Sequence, residues 1–150
     1  MSGPGPGESP VPGAAAPPGG PGMAGLLVTH GALGAALKSA AERISGPAED
    51  VVAFSNEGVS PEQLTETLRG HLSTLAGPVL LMVDLAGGST LAAAQRACRG
   101  RADTHVLAGV NLPVLLDFLQ KRGRLSAADL VAHVLDRGHA GLRLVPPPAC

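Results

Sequence analysis

Four short, nearly continuous apolar runs, each separated from the next by a segment of helical period, constrain this chain more than any other feature. The runs are residues 25–29 (Gly-Leu-Leu-Val-Thr), 50–54 (Asp-Val-Val-Ala-Phe), 78–83 (Pro-Val-Leu-Leu-Met-Val) and 104–108 (Thr-His-Val-Leu-Ala). Runs this short and apolar, bounded by turn residues, read as strands buried on both faces, as in a parallel sheet. Between them, residues 31–44 place Leu33, Leu37, Ala40, Ala41 and Ile44 near a helical period before Gly46-Pro47 stops the pattern. Ser60-Pro-Glu-Gln63 is a helix start with a capping box, and Leu64, Leu68, Leu72 and Leu75 are predicted to face inward along the helix to Ala76. Further helices are predicted over 90–98, 113–122 and 127–137, the last capped by Ser126, with a short strand at Leu142 to Val145. The alternation predicts an α/β fold: an open, doubly wound, mostly parallel sheet of order 2-1-3-4, a short antiparallel last strand, and helices on both faces.

In such a sheet, ligands and reactive groups sit beyond the carboxyl ends of the strands where the strand order reverses. Here that point lies between the first and third strands. His30 follows the first and Asp84 the third, so the two are expected to face each other. A lone strand-end histidine is ordinarily bonded to backbone. This one precedes Gly31, which permits close backbone approach, and opens a helix whose N–H groups favour an anion. A carboxylate accepting the N–H of one ring nitrogen would fix the tautomer and leave the other nitrogen free to attack, which suits phosphoryl transfer. Gly87-Gly88-Ser89 can offer backbone donors to phosphate, with Ser89 as the expected helix cap. It is neither a P-loop nor a nucleophile elbow, since no Gly-Lys-Ser/Thr or Gly-x-Ser-x-Gly frame is present.

Composition narrows the rest. The formal net charge is −1, there is no Trp or Tyr, and Phe54 and Phe118 are the only aromatics, so neither a basic nor an aromatic surface for nucleic acid is expected. No apolar run approaches the roughly 20 residues of a membrane span, and the N-terminus lacks a signal-peptide pattern. Cys98 and Cys150 share no metal or redox spacing: Cys98 reads as a packed thiol, Cys150 as an exposed one, and the compartment as reducing and cytoplasmic. His71 is expected on a wet helix face, His105 in a strand, His133 in a helix and His139 between glycines; no metal site and no cofactor is expected. Arg96, Arg99 and Arg101 form a solvated helix end or a docking patch for an acidic partner. Residues 1–24 read as a disordered Gly/Pro-rich tail or as a start assigned upstream of Met23, residues 25–145 as one domain, and 146–150 as a Pro-rich tail.

Val28-Thr-His-Gly31, Val83-Asp-Leu-Ala-Gly-Gly-Ser89 and Ala108-Gly-Val-Asn-Leu-Pro113 occur after the first, third and fourth strands, in that order. Together they resemble the IIA component of the mannose family of the bacterial phosphoenolpyruvate-dependent sugar phosphotransferase system, over residues 25–145. The resemblance implies a phosphorylated histidine at His30, an orienting aspartate at Asp84, and a phosphate-side loop at Gly31, Gly87, Gly88 and Ser89, with Asn111 and Pro113 shaping the loop at the same sheet edge. It further implies phosphate arriving from HPr and leaving to a IIB component, which serves a membrane IIC/IID channel, and a homodimer in which Leu142 to Val145 joins the partner's sheet. Thr90 and Ala86 depart from the family, which often has Pro after Gly-Gly-Ser and an aromatic before the glycines. With no IIB domain following, the chain is expected not to be a fused IIAB protein.

Other readings use the same residues. One is a regulatory sensor in which His30 phosphorylation is a signal. Another is the phosphoryl-donor subunit of a dihydroxyacetone kinase. A two-component receiver would need acidic residues after the first strand to bind Mg²⁺, where His30 stands. A hydrolase lacks a nucleophile frame.

Overall fold

A computed structural model describes residues 22–149. The expected N-terminal tail up to residue 21, and Cys150, lie outside the described residues. The elements are β1 (Ala24–Thr29), α1 (Leu33–Ser45), β2 (Val51–Ser55), α2 (Pro61–Leu72), β3 (Val79–Val83), α3 (Gly88–Ala97), β4 (Thr104–Ala108), α4 (Leu112–Lys121) and α5 (Ala127–Ala140). The four strands form one sheet of order β2-β1-β3-β4 with every pairing parallel, as the apolar runs predict.

Strand alternation divides β1 and β3 between two cores. Leu27, Leu80 and Met82 pack with Ala41 of α1, Leu115 and Phe118 of α4, and Leu130 and Val134 of α5. On the opposite face, Leu26, Val28, Leu81 and Val83 meet Leu64, Leu68 and Leu72 of α2 and the alanines Ala93, Ala94 and Ala97 of α3. Every residue of β3 is fully buried, which accounts for its unbroken hydrophobicity. With no Trp or Tyr available, one ring, Phe118, is the largest fully buried side chain among those described.

Local rules explain the helix starts. Ser60 Oγ accepts from the Gln63 N–H at 3.1 Å and Gln63 Oε1 accepts from the Ser60 N–H at 2.8 Å, a reciprocal capping box with Pro61 at the first helical position. Ser126 caps α5 by accepting from the Asp129 N–H at 3.2 Å.

Two expectations about elements are corrected. Of the stripe expected along α1, Ala41 is buried and Leu37 packs against the core, but Leu33 and Ile44 are 44% and 62% exposed and Gly34 is the other buried position. The helix lies close against β1, where a Cβ on Gly34 would come within 3.0 Å of Thr29 Oγ1, so small residues face the sheet. The expected strand at Leu142 to Val145 is not formed: α5 continues to Ala140, and residues 142–149 carry no strand pairing. A strand exists only through ladder partners, and Leu142, Leu144 and Val145 are 87%, 100% and 78% exposed.

Candidate functional site

The connection from β1 through α1 reaches β2 on one side of β1, and the connection from β2 through α2 crosses to β3 on the other. The sheet therefore reverses its winding between β1 and β3, and the paired Val28 and Val83 are the last register partners before the loops. His30 and Asp84 leave the sheet side by side. Oδ2 of Asp84 accepts from the His30 backbone N–H at 2.9 Å and lies 2.9 Å from His30 Nδ1. The histidine side chain is 43% exposed and that of Asp84 9%, so the ring is open to solvent while its carboxylate partner is shielded. Burial works against ionisation of Asp84, but the hydrogen bonds from the His30 backbone and ring outweigh it and hold the carboxyl below its ordinary value of 3.8.

The turn beneath the histidine is braced on three sides. Gly31 has φ +54°, a left-handed conformation that suits glycine, and its N–H donates to Asn56 Oδ1 at 3.2 Å. The Asn56 N–H donates to the Thr29 carbonyl at 3.2 Å, and the Gly34 N–H donates to Thr29 Oγ1 at 2.7 Å. Asn56 follows β2 as His30 follows β1 and Asp84 follows β3. The strand-end rule that singles out the other two could have found it.

Asp84 is held from its other oxygen as well, since Thr90 Oγ1 donates to Oδ1 at 3.2 Å. Thr90 belongs to the first turn of α3 and is completely buried. Gly87 is the N-cap in extended conformation and Gly88 has φ +82°, which a side chain would oppose. This chain path makes Gly87, not Ser89, the cap, and no side chain caps the helix. Ser89 lies inside the first turn and lines a cleft of about 60 Å³ with Asn56, Val59, Ser60, Pro61 and Leu64.

The remaining expected residues are placed elsewhere. Asn111 caps α4, its Oδ1 accepting from the Val114 N–H at 3.0 Å, and its Nδ2 donates to the Gly138 carbonyl at 3.0 Å, tying α4 to α5. The loop before it returns to the site: the N–H groups of Gly109 and Val110 both donate to the Val83 carbonyl, at 2.9 and 3.0 Å. His71 is not on a wet face; it is half-buried with its ring edge-on to Phe54, centroids 5.4 Å apart. His133 pairs with Asp117 at 3.0 Å, and His139 is helical because α5 outruns its expected end. The arginine cluster divides. Arg101 donates to the carbonyls of Leu72, Leu75 and Gly77 and pairs with Asp103, closing the end of α2, while Arg96 and Arg99 are exposed. Burial pushes the Cys98 thiol up to about 11, against a smaller opposing effect of Arg101, as suits a packed, unreactive cysteine.

Comparison with known proteins identifies the family. Residues 25–135 match the family described as PTS system fructose IIA component. The chain is 33% identical over 123 residues to the PTS system mannose-specific EIIAB component of Escherichia coli strain K12, covering 79% of this chain and 38% of that protein. It is 33% identical over 111 residues to the PTS system fructose-specific EIIA component of Bacillus subtilis strain 168, covering 71% of this chain and 75% of that one. Among solved structures, phosphotransferase system component EIIA from Streptococcus agalactiae superposes with a TM-score of 0.75 at 26% identity, over 81% of this chain and 95% of the other. The chain thus spans well under half of the Escherichia coli protein and most of the other two.

Proposed function

The chain belongs to the family of PTS system fructose IIA components, and from that membership we propose that it is a phosphoryl carrier, taking phosphate from phospho-HPr on His30 and passing it to a IIB component. The observation that carries this reading is the 2.9 Å approach of His30 Nδ1 to Asp84 Oδ2 at the reversal of the sheet. With the ring proton on Nδ1 and donated to Asp84, Nε2 keeps its lone pair. That pair attacks the phosphorus of the donor's phosphohistidine. The new N–P bond forms as the donor's N–P bond breaks, and the donor ring keeps the electrons of the broken bond. Asp84 stays ionised and balances the positive charge that develops on His30. The backbone N–H groups of Gly88, Ser89 and Thr90, at the first turn of α3, suit the phosphoryl oxygens. Gly31 lets the chain turn sharply enough to present the ring, and Asn111 stiffens the neighbouring β4–α4 loop.

The same reading makes the protein a cytoplasmic homodimer. No helix among the described residues is long and apolar enough to cross a membrane. Among the described residues β4 has a sheet neighbour on one side only, and Leu142, Leu144 and Val145 are exposed, so a second copy offers each the ladder partner it lacks.

Incubated with phosphoenolpyruvate, enzyme I and HPr, the protein is expected to gain a single acid-labile, base-stable phosphate that His30→Ala abolishes. Phosphate on Asp84, or none from an active donor, would overturn the reading. A chase onto a IIB protein then separates a transport role from a purely regulatory one.

A further inference from the structure

Three threonines are buried among the described residues: Thr29, Thr65 and Thr90. A buried hydroxyl needs a partner, and the choice of partner is informative. Thr29 accepts from the Gly34 N–H beside it in the chain. Thr65 donates to the Pro61 carbonyl one turn back at 2.8 Å, and the exposed Thr67 does the same to Gln63 at 2.9 Å, the usual habit of a helical threonine. Thr90 is also helical, and the equivalent partner would be the carbonyl of Ala86. It donates instead to a titratable side chain, Oδ1 of Asp84, at 3.2 Å.

The two oxygens of Asp84 are thereby divided. Oδ2 takes the backbone N–H of His30 and faces ring Nδ1, while Oδ1 takes Thr90. The terminal torsion of an aspartate is broad and soft, so bonds to one oxygen alone would leave the carboxylate plane free to swing. A second tether from a fully buried helical residue removes that freedom. We propose that Thr90 is a positioning residue for phosphoryl transfer: its hydroxyl locks the carboxylate plane of Asp84, and through it the orientation and tautomer of the His30 ring. This rests on the reading of His30 as the phosphoryl acceptor. It also puts two tasks on one residue, because the backbone N–H of Thr90 lies in the helix turn suited to phosphoryl oxygens. Seating of the phosphoryl group and orientation of the nucleophile are then coupled through α3.

The test uses the full chain and two readouts. The ring ¹⁵N resonances of unphosphorylated His30 report the tautomer, and the rate of phosphate uptake from phospho-HPr reports transfer. Thr90→Val keeps the shape and removes the hydroxyl. It is expected to move the ring resonances away from the Nδ1–H tautomer and to slow uptake about ten- to a hundredfold, the loss of one hydrogen bond to a charged group. Thr90→Ser keeps the hydroxyl and is expected to restore both. If Thr90→Val melts without cooperativity, Thr90→Ala carries the same comparison. Wild-type ring resonances and uptake rate in a folded hydroxyl-free variant overturn the proposal, as does failure of Thr90→Ser to restore them. Absence of phosphate uptake by the wild type would instead overturn the carrier function, while the ring resonances still decide the role of Thr90.

Discussion

At the scale of the residue, the site is a short relay, Thr90 to Asp84 to His30, built from side chains of one helix and two strand ends. His30 and Asp84 are legible in the sequence because each directly follows a strand flanking the reversal of the sheet. Asn56 carries the same signal after β2 and Thr90 carries none, since nothing in the spacing of Asp84 and Thr90 says that one bonds the other. Asp84 gives a pH-dependent prediction. Its carboxyl is held below the ordinary 3.8 in the folded protein, so ionisation adds stability that is complete above 3.8 and drains as pH falls through the folded value. Asp84→Asn cannot titrate. The difference in urea midpoint between wild type and Asp84→Asn is therefore expected to be largest near neutrality and to narrow below pH 3.8. A difference that stays constant with pH would mean that the carboxylate charge contributes nothing to the folded state. The variant is also expected to slow phosphate uptake by on the order of 10²-fold or more, because the amide oxygen that then faces Nδ1 is neutral and does not balance the positive charge developing on the ring.

At the scale of the element, the strands are read correctly from their apolar runs because a parallel sheet covered on both faces demands such runs. The errors fall where packing depends on what lies opposite. Leu37 and Ala41 keep their places in the expected helical stripe, whereas Leu33 and Ile44 turn outward and Gly34 faces β1, where a Cβ would meet Thr29 Oγ1 at 3.0 Å. Leu142 to Val145 has the composition of a strand and no strand partner among the described residues. The open edge of β4 and this segment are complementary surfaces for a second copy. Sedimentation velocity of the full chain is expected to give a dimer, and removal of residues 142–150 a folded monomer that melts cooperatively. A truncated chain that remains dimeric would move the interface to another surface.

At the scale of the whole molecule, two aliphatic cores share a single central sheet, and Phe118 joins the larger one to β1. A Cβ on Gly25 would come within 2.7 Å of the ring, so strand and ring are in direct contact with no side chain between them. Arg122 lies 5.7 Å over the same ring and pairs with Asp50, 2.8 Å from Oδ1, closing the far side. With no Trp or Tyr in the chain, little else can fill that volume. Phe118→Ala is expected to cost about 3–5 kcal/mol in urea unfolding. A loss below about 1 kcal/mol would mean that the core closes around the gap.

His30 and Asp84 stand 54 residues apart along the chain and meet only once β3 has settled beside β1. That pairing must wait until α1, β2 and α2 have all been synthesised, because all three lie between β1 and β3 along the chain. A nascent chain on the ribosome thus shows its histidine long before it shows the carboxylate that orients it. On the proposed chemistry, unfinished or misassembled copies would draw little phosphate from the donor pool, and the ability to be charged would itself mark a finished molecule.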